Sequence, residues 1–158
     1  MATQPRRKAP NFSSIMDMPM DQILPPKPMP AGDYLAMAVG HAEPGQASTG
    51  TPFVTVTFQY MEALESVSND DLQAALTKAD GTVSALTEKT IQTRLYLTEG
   101  AAYRNKVFLT NLGIEPTLSI NEGIQEIPGK QTIITVTHRA NRSGEGVFAE
   151  VSGTAKVD

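Results

Sequence analysis

The chain has 158 residues, 40% of them hydrophobic, with 13 basic against 17 acidic side chains, a net charge of −4, two histidines and no cysteine or tryptophan. That length supports one domain with a substantial core plus an arm, and the missing cysteines exclude disulfides, thiolate metal sites and thiol catalysis. No apolar run approaches the ~20 residues of a spanning helix, and the basic start MATQPRRKAP, with no apolar stretch behind it, does not read as a secretory signal.

The charge is unevenly spread. Residues 1–30 carry four basic against two acidic side chains, whereas residues 62–80 carry Glu62, Glu65, Asp70, Asp71 and Asp80 against Lys78 alone. The acidity is therefore concentrated in one stretch, and the rest of the body is close to neutral. Without a strongly basic footprint, affinity for a nucleic acid has to lean on stacking as well as on phosphate contacts.

Residues 1–31 read as an extended, Pro- and Met-rich arm. Pro5, Pro10, Pro19, Pro25, Pro26, Pro28 and Pro30 interrupt regular structure, while Met16, Met18, Met20 and Met29 make the segment adhesive. Arg6, Arg7 and Lys8 add a basic cluster. Such an arm either stays disordered or holds a partner, here another copy or another protein of the same system.

A single domain is expected over 32–158. Its first strand spans about 32–41, with Leu35, Met37 and Val39 assigned inward and Tyr34, Ala36 and Ala38 outward. Residues 43–52, EPGQASTGTP, read as a turn-rich loop. The second strand, 53–60, places Val54, Val56, Phe58 and Tyr60 inward and Phe53, Thr55, Thr57 and Gln59 outward, because successive strand side chains point to opposite faces. An acidic helical insertion follows over 62–88, with Asn69 capping a helix over 70–77.

The third strand, 90–98, buries Ile91, Thr93, Leu95 and Leu97 and exposes Gln92, Arg94, Tyr96 and Thr98. Thr98 then caps a helix over 99–112 that ends at Gly113, with Asn105 in the middle of an apolar face of Ala101, Ala102, Phe108, Leu109 and Leu112. A short helical segment is expected around 119–126. The fourth strand covers 131–139, and after a turn over 141–146 the fifth starts at Val147 and runs to Val151 or on through Ala155.

The order β–β–β–α–β–β describes a mainly β, α+β chain. It is the order of a five-stranded OB-like Greek-key barrel, here preceded by the arm, and it is shared by other five-stranded folds, a β-sandwich or β-rich virion fold among them.

No catalytic chemistry is legible. His41 and His138 each lack a ligand or acid–base partner at useful spacing, and no nucleophile-elbow, zincin or Walker pattern occurs. The glycines of RSGEG (142–146) precede no helix and so read as a hairpin turn, and Asp70 and Asp71 sit where they offset a helix dipole. The expectation is a protein that is not an enzyme and needs no cofactor or metal.

The outward faces carry the functional signal. On the assignments above, Tyr34, Phe53, Tyr96 and Phe148 share them with Arg94 and Arg139, and Arg142 follows in the hairpin. Aromatic platforms that stack bases beside arginines that meet phosphates are the means of sequence-tolerant single-strand binding. The same aromatics also suit a face packed beneath the arm or the acidic helix. Tyr103, Arg104 and Lys106 of the helix either reach the same ligand or form a solvated helix face.

The blocks PAGDYLAMAVG, TPFVTVTF, YLTEGAAYRNKVFLTNLGI and PGKQTIITVTHRANRSGEGVFAEV, over about 30–157, resemble small tailed-bacteriophage proteins of the OB-fold-like single-stranded DNA-binding type. The resemblance implies a single-stranded DNA partner, a role in phage replication or recombination, an oligomer, and the cytoplasm of an infected bacterial host. The sequence departs from the bacterial single-strand-binding pattern in its acidic body and in ending GTAKVD rather than in an acidic tail. The other reading is a bacteriophage virion structural protein, such as a head decoration, connector or tail component, whose arm clasps a neighbouring subunit. No membrane association is expected under either reading.

Overall fold

The computed structural model describes residues 16–17, 19–22, 27–78, 80–140, 144 and 146–157. The chain is mainly β, with an antiparallel sheet of six strands: β1 (Gly32–Ala38), β2 (Glu43–Gln46), β3 (Pro52–Ala63), β4 (Thr90–Tyr96), β5 (Gln131–Ala140) and β6 (Val147–Ala155). Among the described residues three α-helices accompany it: α1 (Asn69–Leu76), α2 (Ala102–Asn111) and α3 (Ile120–Gln125). Among the described residues no helix is long and apolar enough to cross a membrane.

β3 organises the sheet. β4 pairs with its residues 53–59, while β1 pairs with 58–63 and β2 with 52–55. A strand has only two edges, and both β1 and β2 overlap β4 along β3, so both lie on the edge opposite β4. They act as one strand interrupted after Ala38, with Val39 still donating to the Thr57 carbonyl at 2.9 Å. The expected first strand is thus broken, and the segment read as a loop over 43–52 contains its second half.

On the far side of β1 lie β5 and then β6. Among the described residues no ladder joins β4 to β6, so the sheet is not closed.

The inner face carries Tyr34, Ala36, Ala38, Val54, Val56, Phe58, Tyr60, Ile91, Leu95, Ile134 and Val136, all buried. Tyr34 corrects the sequence expectation: it points inward, and Leu35 and Met37 lie on the partly covered outer side. The reason is volume. Both faces of β1 are apolar, so alternation does not choose between them. The small Ala36 and Ala38 sit opposite Tyr60 and Phe58 across the β1–β3 ladder and leave room for those rings. Tyr34 meets Tyr60 edge-on with ring centroids 4.8 Å apart and donates its hydroxyl to the Pro30 carbonyl at 2.6 Å. Met29 and Pro30 are buried in turn, and a His138 ring nitrogen lies 2.8 Å from the Met29 carbonyl oxygen.

α2 closes one end of the core. Thr98 accepts from the Ala101 amide at 3.2 Å as the expected cap, a single 3-10 turn leads into the helix, and Gly113 ends it at φ +82°. Gly113 is suited to that left-handed position because it has no Cβ. Phe108 packs on Phe58 at 5.9 Å, and Leu109, Leu112, Ile114 and Ile127 complete the layer. Burying each such side chain contributes about 1.5–3 kcal/mol.

α1 starts one residue earlier than the sequence suggested. Ser68, not Asn69, is its N-cap, accepting from the Asp71 amide, because the extended backbone at Ser68 aims its hydroxyl at the first turn.

Candidate nucleic-acid interface

The β3–β4 ladder assembles the site. Its register sets Phe53 opposite Tyr96, Thr55 opposite Arg94 and Thr57 opposite Gln92, and all six side chains emerge on the outer face. Alternation along two strands in one register therefore brings Phe53, Arg94 and Tyr96 together.

Phe53 is buried to 8% exposure although it lies on the outer face. The Arg94 guanidinium carbon sits 4.2 Å from its ring centroid, and the Tyr96 ring meets it edge-on at 5.8 Å. Its third neighbour is the backbone of β2, because Phe53 faces Gly45 across that ladder. A Cβ at Gly45 would stand 2.7 Å from two atoms of the Phe53 ring, so the glycine is what lets the ring lie there. The expected stacking residue is thus a foundation, and the surface offered to solvent is Arg94 with Tyr96, the latter 39% exposed.

Arg94 makes no ion pair among the described residues. Held over Phe53 by a cation–π contact, its guanidinium keeps an outer planar face and several N–H donors for a ligand. Tyr96 is anchored from behind: Asn105, 3% exposed at the centre of the α2 apolar face, donates to the Tyr96 carbonyl at 2.8 Å. A lone polar residue on an apolar helical face is the sequence signal for such an anchor. Gly45, by contrast, left no local signal, because its role depends on a ring eight residues away.

The other expected site residues are distributed differently. Arg139 and Phe148 face each other across the β5–β6 ladder, and Phe148 is 44% exposed. Arg139, however, is engaged with Glu150 at 3.5 Å. Tyr34, fully buried on the inner face, has no surface to offer a ligand. Burial pushes its hydroxyl up to about 12, and Tyr60 is raised as well, by burial and then by its neighbour Tyr34. Met16 and Met20 are exposed. Arg6, Arg7, Lys8, Met18 and Arg142 lie outside the described residues.

Neither the arm nor α1 covers the platform among the described residues. α1 lies instead beside residues 27–31 and His138, where Asp71, Ala74 and Ala75 share a groove with Pro28 and Val147. Among the described residues no three His, Asp or Glu side chains converge as a metal site would require. The platform presents a part-exposed aromatic ring beside a guanidinium that forms no ion pair among the described residues. A scan against protein-family models finds no match to this chain, and a search of curated proteins finds none either.

Proposed function

We propose that the protein binds single-stranded DNA without catalysis, on the outer face of β3 and β4. The observation that carries this reading is the stack of Arg94 on Phe53 beside a part-exposed Tyr96. Bases stack on Tyr96 and on the guanidinium plane, whose N–H groups meet a phosphate, while Thr55, Thr57 and Gln92 add hydrogen-bonding capacity along the same face. Arg139 is left out of the interface, because Glu150 already neutralises it.

The fold reading behind this is an OB-like barrel left open along one seam. Counting β1 and β2 as one interrupted strand leaves five strands, ordered β4–β3–β1–β5–β6 across the sheet, with α2 between β4 and β5. In such barrels the second and third strands carry the ligand, and here those strands are β3 and β4. The phage resemblance supports a role in replication or recombination inside an infected bacterium.

The test is binding of the purified protein to a fluorescent single-stranded oligonucleotide across a salt series. Micromolar or tighter, salt-sensitive binding, with weak affinity for duplex, is the expected outcome. No binding even at low salt overturns the proposal.

A virion role is the second reading, favoured by the Met16 and Met20 side chains, 81% and 87% exposed, which suit an arm laid along a neighbour. Presence in purified particles separates the two, since a replication protein is absent there.

A further inference from the structure

The seam between β4 and β6 has a shape of its own. Four successive antiparallel pairings, β4–β3–β1–β5–β6, make these two strands run in the same direction. Their Cα atoms come within 8 Å of each other. A strand paired to both of them would need about 9.5 Å, two ladder spacings, so the seam is not a vacant strand position.

Two devices keep the seam from zipping. The β5–β6 register shifts between Thr135 and Val136 and leaves Ser152 as an extra residue, and a bulge of this kind bends an edge strand and interrupts its pairing. Meanwhile α2 grips both strands near their C-terminal ends. Asn105 donates to the Tyr96 carbonyl at 2.8 Å, and Asn111 donates to the Thr154 carbonyl and hydroxyl, each at 3.1 Å. A single rigid helix thereby sets the spacing.

The result is a cleft of about 590 Å³, bordered by Arg94 on β4, Arg104 and Val107 on α2, and Glu150, Ser152 and Gly153 on β6. Its charge balance is positive. Arg94 and Arg104 form no ion pair among the described residues, whereas the Glu150 carboxylate is held by Arg139 at 3.5 Å. Gly153 adds no side chain, and a Cβ built there meets no atom within 4 Å, so the wall at the bulge is bare. Arg94 borders the cleft and carries the platform's guanidinium, so the two adjoin at β4.

We propose that this cleft receives the phosphodiester backbone of the strand as it leaves the platform, with Arg104 as the phosphate contact and the bulge at Ser152 and Gly153 as the wall the backbone approaches. The inference rests on the single-strand reading above and adds a second subsite to it. Short oligonucleotides fill the platform alone. Longer ones enter the cleft.

The test measures anisotropy of labelled oligothymidylates from about 4 to about 16 nucleotides, the range of single-strand site sizes, on wild type, Arg104→Gln and Gly153→Leu. Arg104→Gln removes the charge on an exposed helix face, and Gly153→Leu fills the cleft where space is open; thermal melting confirms that each is folded. The expected result is unchanged affinity for the shortest oligonucleotide, and several-fold weaker binding of the longest by both variants. For Arg104→Gln the salt slope with the longest falls by about 0.7, one phosphate contact on a single strand.

Wild-type affinity of both variants at every length overturns the cleft while leaving the platform standing. So does a loss for Arg104→Gln that is equal at all lengths, because Arg104 then meets the strand outside the cleft. Should Gly153→Leu fail to fold, Arg104→Gln alone decides by the length dependence of its loss. Wild type that binds no length refutes the single-strand reading itself.

Discussion

Each end of the outer sheet face sets an arginine beside an aromatic, and the two ends differ in what the arginine touches. At the β5–β6 end, Arg139 lies opposite Phe148 but closes onto Glu150 at 3.5 Å. At the β3–β4 end, Arg94 has no such carboxylate among the described residues and rests 4.2 Å over Phe53, with Tyr96 beside it. The half-exposed ion pair contributes about 0–1 kcal/mol to stability and leaves little charge for a ligand. The stacked guanidinium keeps its charge and its outer face. Residue types alone do not distinguish the ends; the presence of a local carboxylate does.

The largest contrast should come from truncating the two phenylalanines. Phe53→Ala removes a buried ring and the support of both Arg94 and Tyr96, and is expected to cost about 3–5 kcal/mol in denaturant unfolding. Phe148→Ala, at an exposed position, should stay within about 0.5 kcal/mol. Equal costs would mean that Phe53 is no foundation.

Tyr96→Ala sharpens the comparison at the level of binding. Its affinity for a single-stranded oligonucleotide should drop by about 1–3 kcal/mol, a stacking-sized loss, with the salt slope unchanged. A drop that comes with a flatter slope would indicate that the ring was positioning a phosphate contact instead.

The inner pair, Tyr34 and Tyr60, provides a control on aromatics that never meet a ligand. Burial raises both hydroxyls, Tyr34 to about 12, above the ordinary value of about 10. A raised pKa means that the folded state holds the proton that the unfolded chain releases. The stabilisation is therefore complete below pH ~10 and is lost as pH climbs from there through about 12. By pH ~11 the loss from Tyr34 should be on the order of 1 kcal/mol, and Tyr34→Phe should remove that part of the alkaline decline in melts at stepped pH. An alkaline profile identical in wild type and Tyr34→Phe would contradict the burial argument.

The smallest effect separates the two arginines. Arg94→Gln should flatten the salt dependence by about 0.7 in log–log slope, one phosphate contact, whereas Arg139→Gln should leave it where it was. Equal flattening by both would extend the interface to the β5–β6 end.

Much of the local structure was legible in the residues. β3 and β4 were readable because their polar faces alternate strictly with apolar ones, and α2 because Thr98 starts it, Gly113 stops it and its apolar positions repeat at helical spacing. β1 was readable as a strand but not as a face, since Tyr34, Ala36 and Ala38 are no more polar than Leu35, Met37 and Val39. β2 was hidden in a Gly- and Pro-containing stretch whose strand character comes only from its ladder with β3. Within the candidate site, the neighbourhood of Arg94 and Tyr96 followed from alternation, while the burial of Phe53 and the neutralisation of Arg139 did not.

By itself, then, the sequence determined the elements other than β2, their order and the two side-chain sets along each of those strands. These are local properties, governed by backbone sterics, capping and the period of two. The tertiary structure alone decided which face of β1 turns inward, that Gly45 makes room for Phe53, and that Arg94, Arg104 and the bulge at Ser152 border one cleft. Those outcomes depend on packing volume and on register between segments tens of residues apart, and no local pattern encodes either.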